Sequence, residues 1–174
     1  MSDFLSGLRR SLTMLGLSTP PTPEFLEAGM PAPGFTLTDE NRVPHHLSDY
    51  YGQWLVLYFY PKDNTPGCVM EACAFRDEIA PFHERNAKVV GISIDNADNH
   101  QKFINKYDLP FTLLSDPEGR VAERYGAQGR VPGLAYAKRQ TFLIDPEGII
   151  RHIWRTVPIK GHAQDVIAVL DSFR

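Results

Sequence analysis

The chain has 174 residues, 43 % hydrophobic and 22 % charged, enough apolar material for one globular domain with a real core. A formal net charge of −3 speaks against a nucleic-acid-binding surface, and no apolar run reaches the length of a membrane span. The 2 cysteines make no network of structural disulfides, and their spacing is not the Cys-x-x-Cys of a zinc knuckle or dithiol redox motif.

Met1 to Leu17 carries Arg9-Arg10 followed by Leu12, Met14, Leu15 and Leu17, which is faintly like a twin-arginine export signal. Its apolar part is short, ends at Ser18-Thr19-Pro20-Pro21 and has no small-residue cleavage site. Phe4, Leu5, Leu8, Leu12 and Leu15 instead share one side of a short amphipathic helix. The preferred reading is therefore a surface appendage on a cytoplasmic protein, with export as the alternative. Ser18 to Pro23 reads as a proline-rich linker, which divides the chain into an N-terminal extension, 1–28, and one domain, 29–174.

Within that domain, Ala32 to Thr38 is a turn leading into a short alternating strand, and Asp39 to Arg42 a tight reversal into Val43–Leu47. Adjacent His45 and His46 fall on opposite sides of an extended backbone, which favours strand-edge histidines over a metal pair. Ser48 to Gly52 is a capped turn. Trp54 to Tyr60 is an uninterrupted apolar block, read as a buried strand that Pro61 stops because it has no N–H for a ladder. Pro66-Gly67 turns the chain. From Cys68 the spacing becomes helical, with Met70, Cys73, Ala74 and Ile79 as the expected inner face and a disturbance at Pro81. Lys88–Ile94 is a second buried strand, Asp95–Asp98 caps a helix through Tyr107, and Phe111–Leu114 is a third strand. Ser115-Asp116-Pro117 is expected to start a helix that Gly126 ends. A loop, Ala127 to Lys138, precedes a hairpin of Gln140–Ile144 and Ile149–Thr156, and Gly161-His162 opens a last helix. Alternating strands and helices followed by a hairpin and terminal helix predict a three-layer α/β domain.

The chemistry is expected between the first buried strand and the helix that follows. A cysteine in the first turn of a helix meets unpaired N–H groups and the positive end of the dipole, which favour thiolate over thiol. By itself this leaves a buried inert cysteine as a competing reading. The neighbours decide it. Pro61, Thr65 and Cys68 fit Pro-x-x-x-Thr-x-x-Cys, and the longer string Tyr60-Pro61-Lys62-Asp63-Asn64-Thr65-Pro66-Gly67-Cys68, continuing to Glu71-Ala72-Cys73, resembles the Q-type peroxiredoxins, also called bacterioferritin comigratory proteins. The resemblance runs from about Met30 to the C-terminus. It departs at Val69-Met70, where relatives tend to carry polar residues.

The resemblance implies a thioredoxin-like fold with a mixed central sheet, a monomer or at most a weak dimer, and a cofactor-free thiol peroxidase. Hydrogen peroxide and organic hydroperoxides are the implied substrates, with thioredoxin or glutaredoxin as electron donor and no metal required. Cys68 is then the peroxidatic nucleophile and Cys73 the resolving cysteine of a Cys68–Cys73 disulfide. Thr65 is expected to accept from the peroxide while donating toward the sulfur. Arg139 matches the arginine that precedes a family strand and points at the sulfur; Lys138 is its nearby confounder. Pro61 shields the sulfur, and Glu71, one turn beyond Cys68, either organises the site or is a plain surface carboxylate. A thiol of ordinary pKa is only about 3 % ionised at pH 7, so full ionisation yields at most about thirty-fold, roughly 2 kcal/mol; the remainder must come from donors that hold the peroxide. Residues five apart on an ideal helix have Cα atoms about 8.7 Å apart, beyond what a disulfide tolerates, so the first turns must unwind when the bond forms. Two competing readings remain: a disulfide oxidoreductase, which the missing Cys-x-x-Cys weakens, and a non-enzymatic redox sensor or chaperone.

Overall fold

The computed structural model describes residues 26–174; the expected N-terminal helix and proline-rich linker lie outside the described residues. Leu26 already packs in the core and its carbonyl accepts from Arg155, so the packed body includes residues ahead of Gly29. The strands are β1 (Thr36–Asp39), β2 (Pro44–His46), β3 (Trp54–Phe59), β4 (Ala87–Ser93), β5 (Thr112–Ser115), β6 (Gln128–Val131), β7 (Leu134–Ala137), β8 (Gln140–Ile144) and β9 (Ile150–Trp154). The helices are α1 (Pro66–Asp77), α2 (Ile79–Glu84), α3 (Ala97–Tyr107), α4 (Arg120–Arg124) and α5 (His162–Asp171).

Seven strands form one mixed sheet in the order β2-β1-β5-β4-β3-β8-β9. The β3/β4 and β4/β5 pairs are parallel; β3/β8 and β8/β9 are antiparallel. Strand β3 is an interior strand covered on both faces, which is why its sequence is apolar without interruption. Its side chains alternate: Leu55, Leu57 and Phe59 enter one core, and Val56 and Tyr58 enter the other. The first core is closed by Val121 and Ala122 of α4 together with Phe35 and Leu47. The second is closed by α1, α2, α3 and α5 through Phe75, Phe82, Phe103 and Val166. Layers on both faces of a mixed sheet make the three-layer α/β domain that the element pattern predicts and the thioredoxin-like architecture that the resemblance implies.

Four local expectations need correction. Met70 is not on the inner face of α1: it is 58 % exposed, while Cys68, Glu71, Ala72 and Phe75 are buried. Those four recur at helical spacing, and the charge on Glu71 masked the stripe. The helix breaks at Glu78, before Pro81. Pro81 then sits in the first turn of α2, where its missing N–H costs nothing. The helix after β5 begins only at Arg120; Asp116 instead accepts from the N–H groups of Val121 and Ala122 at 3.3 and 2.9 Å and so fixes its start. The expected loop before β8 contains the β6–β7 hairpin. Only Gly129 and Ala137 of its two strands are buried, so they give no alternating apolar pattern to read.

Gly91 of β4 is closely packed between the neighbouring strands. A Cβ there would stand 2.8 Å from Leu113 Cδ2 and 2.9 Å from Tyr58 Cζ. Overpacking of this kind costs about 1–3 kcal/mol. Gly91→Ala is therefore expected to lower stability by that amount in urea unfolding, and an unchanged midpoint would contradict the packing described.

Candidate active site

Antiparallel pairing of β3 with β8 sets the site. In this register Phe59, the last residue of β3, faces Gln140, the first of β8. Arg139, immediately before Gln140, thus arrives where the chain leaves β3 for α1. Pro61 and Thr65, both half-buried, lie on the connecting loop, and Thr65 is the N-cap of α1 with Pro66 at the first helical position. Cys68 follows in the first turn and is 1 % exposed.

Three of the expected residues meet here. The Arg139 guanidinium donates from Nη2 to Cys68 Sγ at 3.3 Å and from Nη1 to Glu71 Oε2 at 2.5 Å. Cys68 and Glu71 lie one turn apart on the same helix, so one planar fork reaches both. Glu71 is 1 % exposed, which removes the surface-carboxylate reading. Lys138 is exposed and Arg139 half-buried, so the confounder points elsewhere. The backbone of Gly67 leaves room for this fork: a Cβ there would lie 3.0 Å from Arg139 Nη2.

The other expected residues stand apart from that contact. The Thr65 hydroxyl donates to the Lys62 carbonyl at 2.8 Å. Its single proton is spent within the loop, so the expected donation toward the sulfur is not made, and only its lone pairs remain free. Cys73 is half-buried and, like Cys68, a free thiol. Both cysteines sit on the continuous helix α1, where ideal geometry holds their Cα atoms about 8.7 Å apart. Pro61 carries no polar side-chain atom and can act only by shape.

Several buried polar groups that the sequence does not mark as functional surround this centre. Tyr58 reaches the Cys68 side of β3 from within the same core, and burial, reinforced by the charge of Glu71, pushes its phenol well above the ordinary range. His162, the first residue of α5, contacts Thr141 Oγ1 at 2.8 Å through Nε2. Burial lowers its pKa to about 4, so it is neutral at pH 7. Asp63 pairs with His100 at 2.7 Å in the interior. The available signal for Asp63 was its place inside the quoted string; for His100 and His162 there was none. His45 and His46 do lie on different sides of β2: His45 bonds Asp39 and Tyr50, and His46 bonds Thr36. Among the described residues no cluster of three or more histidine, cysteine or acidic groups could hold a metal.

Glu71 gives the site a pH signature. Burial raises its carboxyl to about 7, against the lowering effect of Arg139. A carboxyl whose folded pKa exceeds its unfolded value binds its proton more tightly in the native state. Its contribution to stability therefore falls as pH rises from about 4.5 to about 7 and stays level above that. His162 works in the opposite sense, since stability is lost as pH falls from about 6.5 toward 4. The two trends offset one another, so the test is a difference. Relative to Glu71→Gln, wild type should lose on the order of 3 kcal/mol between pH 4.5 and 7.5 in urea unfolding; parallel stability curves would contradict the assignment.

The AhpC/TSA family model matches residues 28–153. Peroxiredoxin Bcp of Bacillus subtilis is 42 % identical over 149 residues, spanning 83 % of this chain and 95 % of that protein. Among solved structures, peroxidoxin BcpB of Mycobacterium tuberculosis superposes with a TM-score of 0.81 at 34 % identity, over 86 % of this chain and 99 % of the other. A bacterioferritin comigratory protein of Xanthomonas campestris, solved in work on its alkyl peroxide reduction activity, gives 0.75 at 32 % identity, over 80 % and 91 %. The family match and the likeness along nearly the whole of these relatives agree, and the chain belongs to the AhpC/TSA family, among the peroxiredoxins of the Bcp/Q kind.

Proposed function

We propose that this chain is a thiol peroxidase that reduces hydrogen peroxide and small organic hydroperoxides through Cys68, with Cys73 as the resolving thiol. The observation that carries the reading is the Arg139 guanidinium placed 3.3 Å from Cys68 Sγ and held there by buried Glu71. A fixed cation beside the sulfur favours its anion and is available to an oxygen of the substrate. The alkyl peroxide reduction of the Xanthomonas campestris relative supports the substrate class.

In the first step the Cys68 thiolate attacks the terminal oxygen of ROOH. The S–O bond forms as the O–O bond breaks, sulfur is oxidised to a sulfenic acid, and the departing RO⁻ takes a proton to leave as ROH. Arg139 stabilises the charge that moves onto oxygen, and the free lone pairs of Thr65 accept the peroxide O–H. Pro61 excludes water by its shape. Cys68 is buried, so a hydroperoxide reaches it only when side chains covering the sulfur give way. In the second step Cys73 attacks the sulfenic sulfur, releases water and closes a disulfide, which requires the first turns of α1 to unwind. Unwinding uncovers Phe75, which is buried in this state, and adds it to Met70, already exposed, as a surface for the reductant. An external dithiol, from thioredoxin or glutaredoxin, returns both thiols.

Both cysteines belong to one helix of one chain, so the cycle needs no second subunit, and we assign a monomer. No described helix is long and apolar enough to cross a membrane. Two thiols that must be reduced each turnover suit a reducing compartment, the cytoplasm. The residues ahead of Leu26 are assigned as an extension outside the peroxidase domain, since Leu26 itself belongs to the core.

Peroxide consumption by wild type, Cys68→Ser and Cys73→Ser in the presence of a thioredoxin system tests the reading. Wild type should turn over many equivalents, Cys68→Ser none, and Cys73→Ser one before stalling unless an external thiol rescues it. A wild type that stops after one equivalent would instead identify a redox sensor, and an active Cys68→Ser would overturn the assignment.

A further inference from the structure

Behind the loop that joins β3 to α1 lies a buried polar cluster that the reaction as described does not use. Asp63, midway between Pro61 and Thr65, turns its carboxylate inward, where its side chain is 2 % exposed. Oδ1 accepts from the Tyr60 hydroxyl at 2.6 Å, and Oδ2 faces His100 Nδ1 at 2.7 Å. His100, on α3, is 0 % exposed, and its Nε2 meets the Leu114 carbonyl on β5 at 3.1 Å. The Asp63 backbone is held as well: its N–H donates to Asp95 Oδ2 at 2.8 Å, an oxygen that also accepts from Ser93 Oγ at 2.7 Å.

The proton inventory of this cluster is constrained. A carbonyl can only accept, so His100 Nε2 carries a proton. The contact between Nδ1 and Oδ2 then holds one further proton, shared by a ring and a carboxylate that have no other use for it. Four elements thus converge on this one residue of the loop: the end of β3 through Tyr60, the end of β4 through Ser93 and Asp95, α3 through His100, and β5 through the Leu114 carbonyl that holds His100. No such anchoring is needed to turn a chain from strand to helix. Next in the chain, Asn64 adopts a left-handed φ of 60°, a conformation rare outside glycine and asparagine. Thr65, the N-cap of α1, follows at once.

We propose that Asp63 and His100 are positioning residues for peroxide reduction: their buried pair fixes the loop that carries Pro61 and Thr65 and leads into the helix bearing Cys68. Neither touches the reacting atoms. Asp63 acts through the loop backbone and His100 acts through Asp63. This inference rests on Cys68 being the sulfur that peroxide oxidises. Failure of that reading would show in wild type as no oxidation, whereas failure of this one shows only in the variants below.

The experiment is stopped-flow oxidation of Cys68 by hydrogen peroxide in the Cys73→Ser background, with the rate of disulfide reduction by dithiothreitol in the Cys73-containing protein as control. Asp63→Asn keeps every contact, because its Oδ1 still accepts from Tyr60 and its Nδ2 donates to a neutral His100; it should stay within about threefold of wild type. Asp63→Ala removes the anchor and should slow oxidation about 10- to 100-fold, the scale of a misplacement near 1 Å, while disulfide reduction changes less than about twofold by the same reasoning. His100→Gln is the second probe, since its amide reaches toward Leu114 and leaves Oδ2 of Asp63 unmet. It should fall with Asp63→Ala, and it decides the matter should the alanine variant not fold. Oxidation at the wild-type rate in a folded Asp63→Ala or His100→Gln, or an Asp63→Asn that loses as much as they do, would overturn the proposal. So would equal slowing of both half-reactions, which is the mark of a merely structural role.

Discussion

One guanidinium with two partners is the constraint on which the site depends. Arg139 reaches Cys68 Sγ with one nitrogen and Glu71 with another. Neither contact could be held by a flexible surface arginine, because ordering such a side chain has an entropic cost that a single exposed hydrogen bond does not offset. Burial of Glu71 removes that freedom. It also carries the expense of an ionised group away from water, which the pairing with Arg139 reduces without cancelling. The carboxylate thus serves as the fixed point, the arginine as the lever and the sulfur as the group acted upon. Only a helix supplies this spacing, since residues three apart lie one above the other on the same face.

The sheet brings the lever to the helix. β3 is buried on both faces and paired on both edges, by β4 in parallel and by β8 in antiparallel register. Parallel pairing requires a crossover, which α1 and α2 provide, so the helix carrying Cys68 must start at the end of β3. Antiparallel pairing brings the start of β8 to that same end. The two pairings together place Arg139 beside Cys68, although 71 residues separate them in sequence. Gly91 and Gly67 are the concessions that the close packing requires, the first between Tyr58 and Leu113 and the second beneath the guanidinium.

Much of this was legible from the residues and some was not. The central strand announced itself through an apolar run ended by proline, and the helix start through Pro66-Gly67 before Cys68. Arg139 was reached only by resemblance, because its partner is set by strand register, which no local pattern encodes. Glu71 was left open for the same reason: a charged residue on a helix is ordinarily exposed, and its burial depends on a cation supplied from β8. The misread inner face of α1 has the same origin, since taking Glu71 as exposed hands the apolar stripe to Met70. Thr65 was assigned as a donor toward the sulfur, but a hydroxyl has one proton, and the turn at Lys62 takes it. The β6–β7 hairpin leaves little trace in the sequence because its short strands bury only Gly129 and Ala137.

The central claim is that the Arg139 guanidinium activates the Cys68 sulfur toward peroxide, and substitution of that one side chain tests it most directly. Arg139→Gln keeps a hydrogen-bond donor near Glu71 but removes the cation from the sulfur. The single-turnover rate of Cys68 oxidation by hydrogen peroxide should then fall about 100-fold or more, as for loss of a preorganised donor in a buried site. A folded variant that oxidises at the wild-type rate would contradict the account.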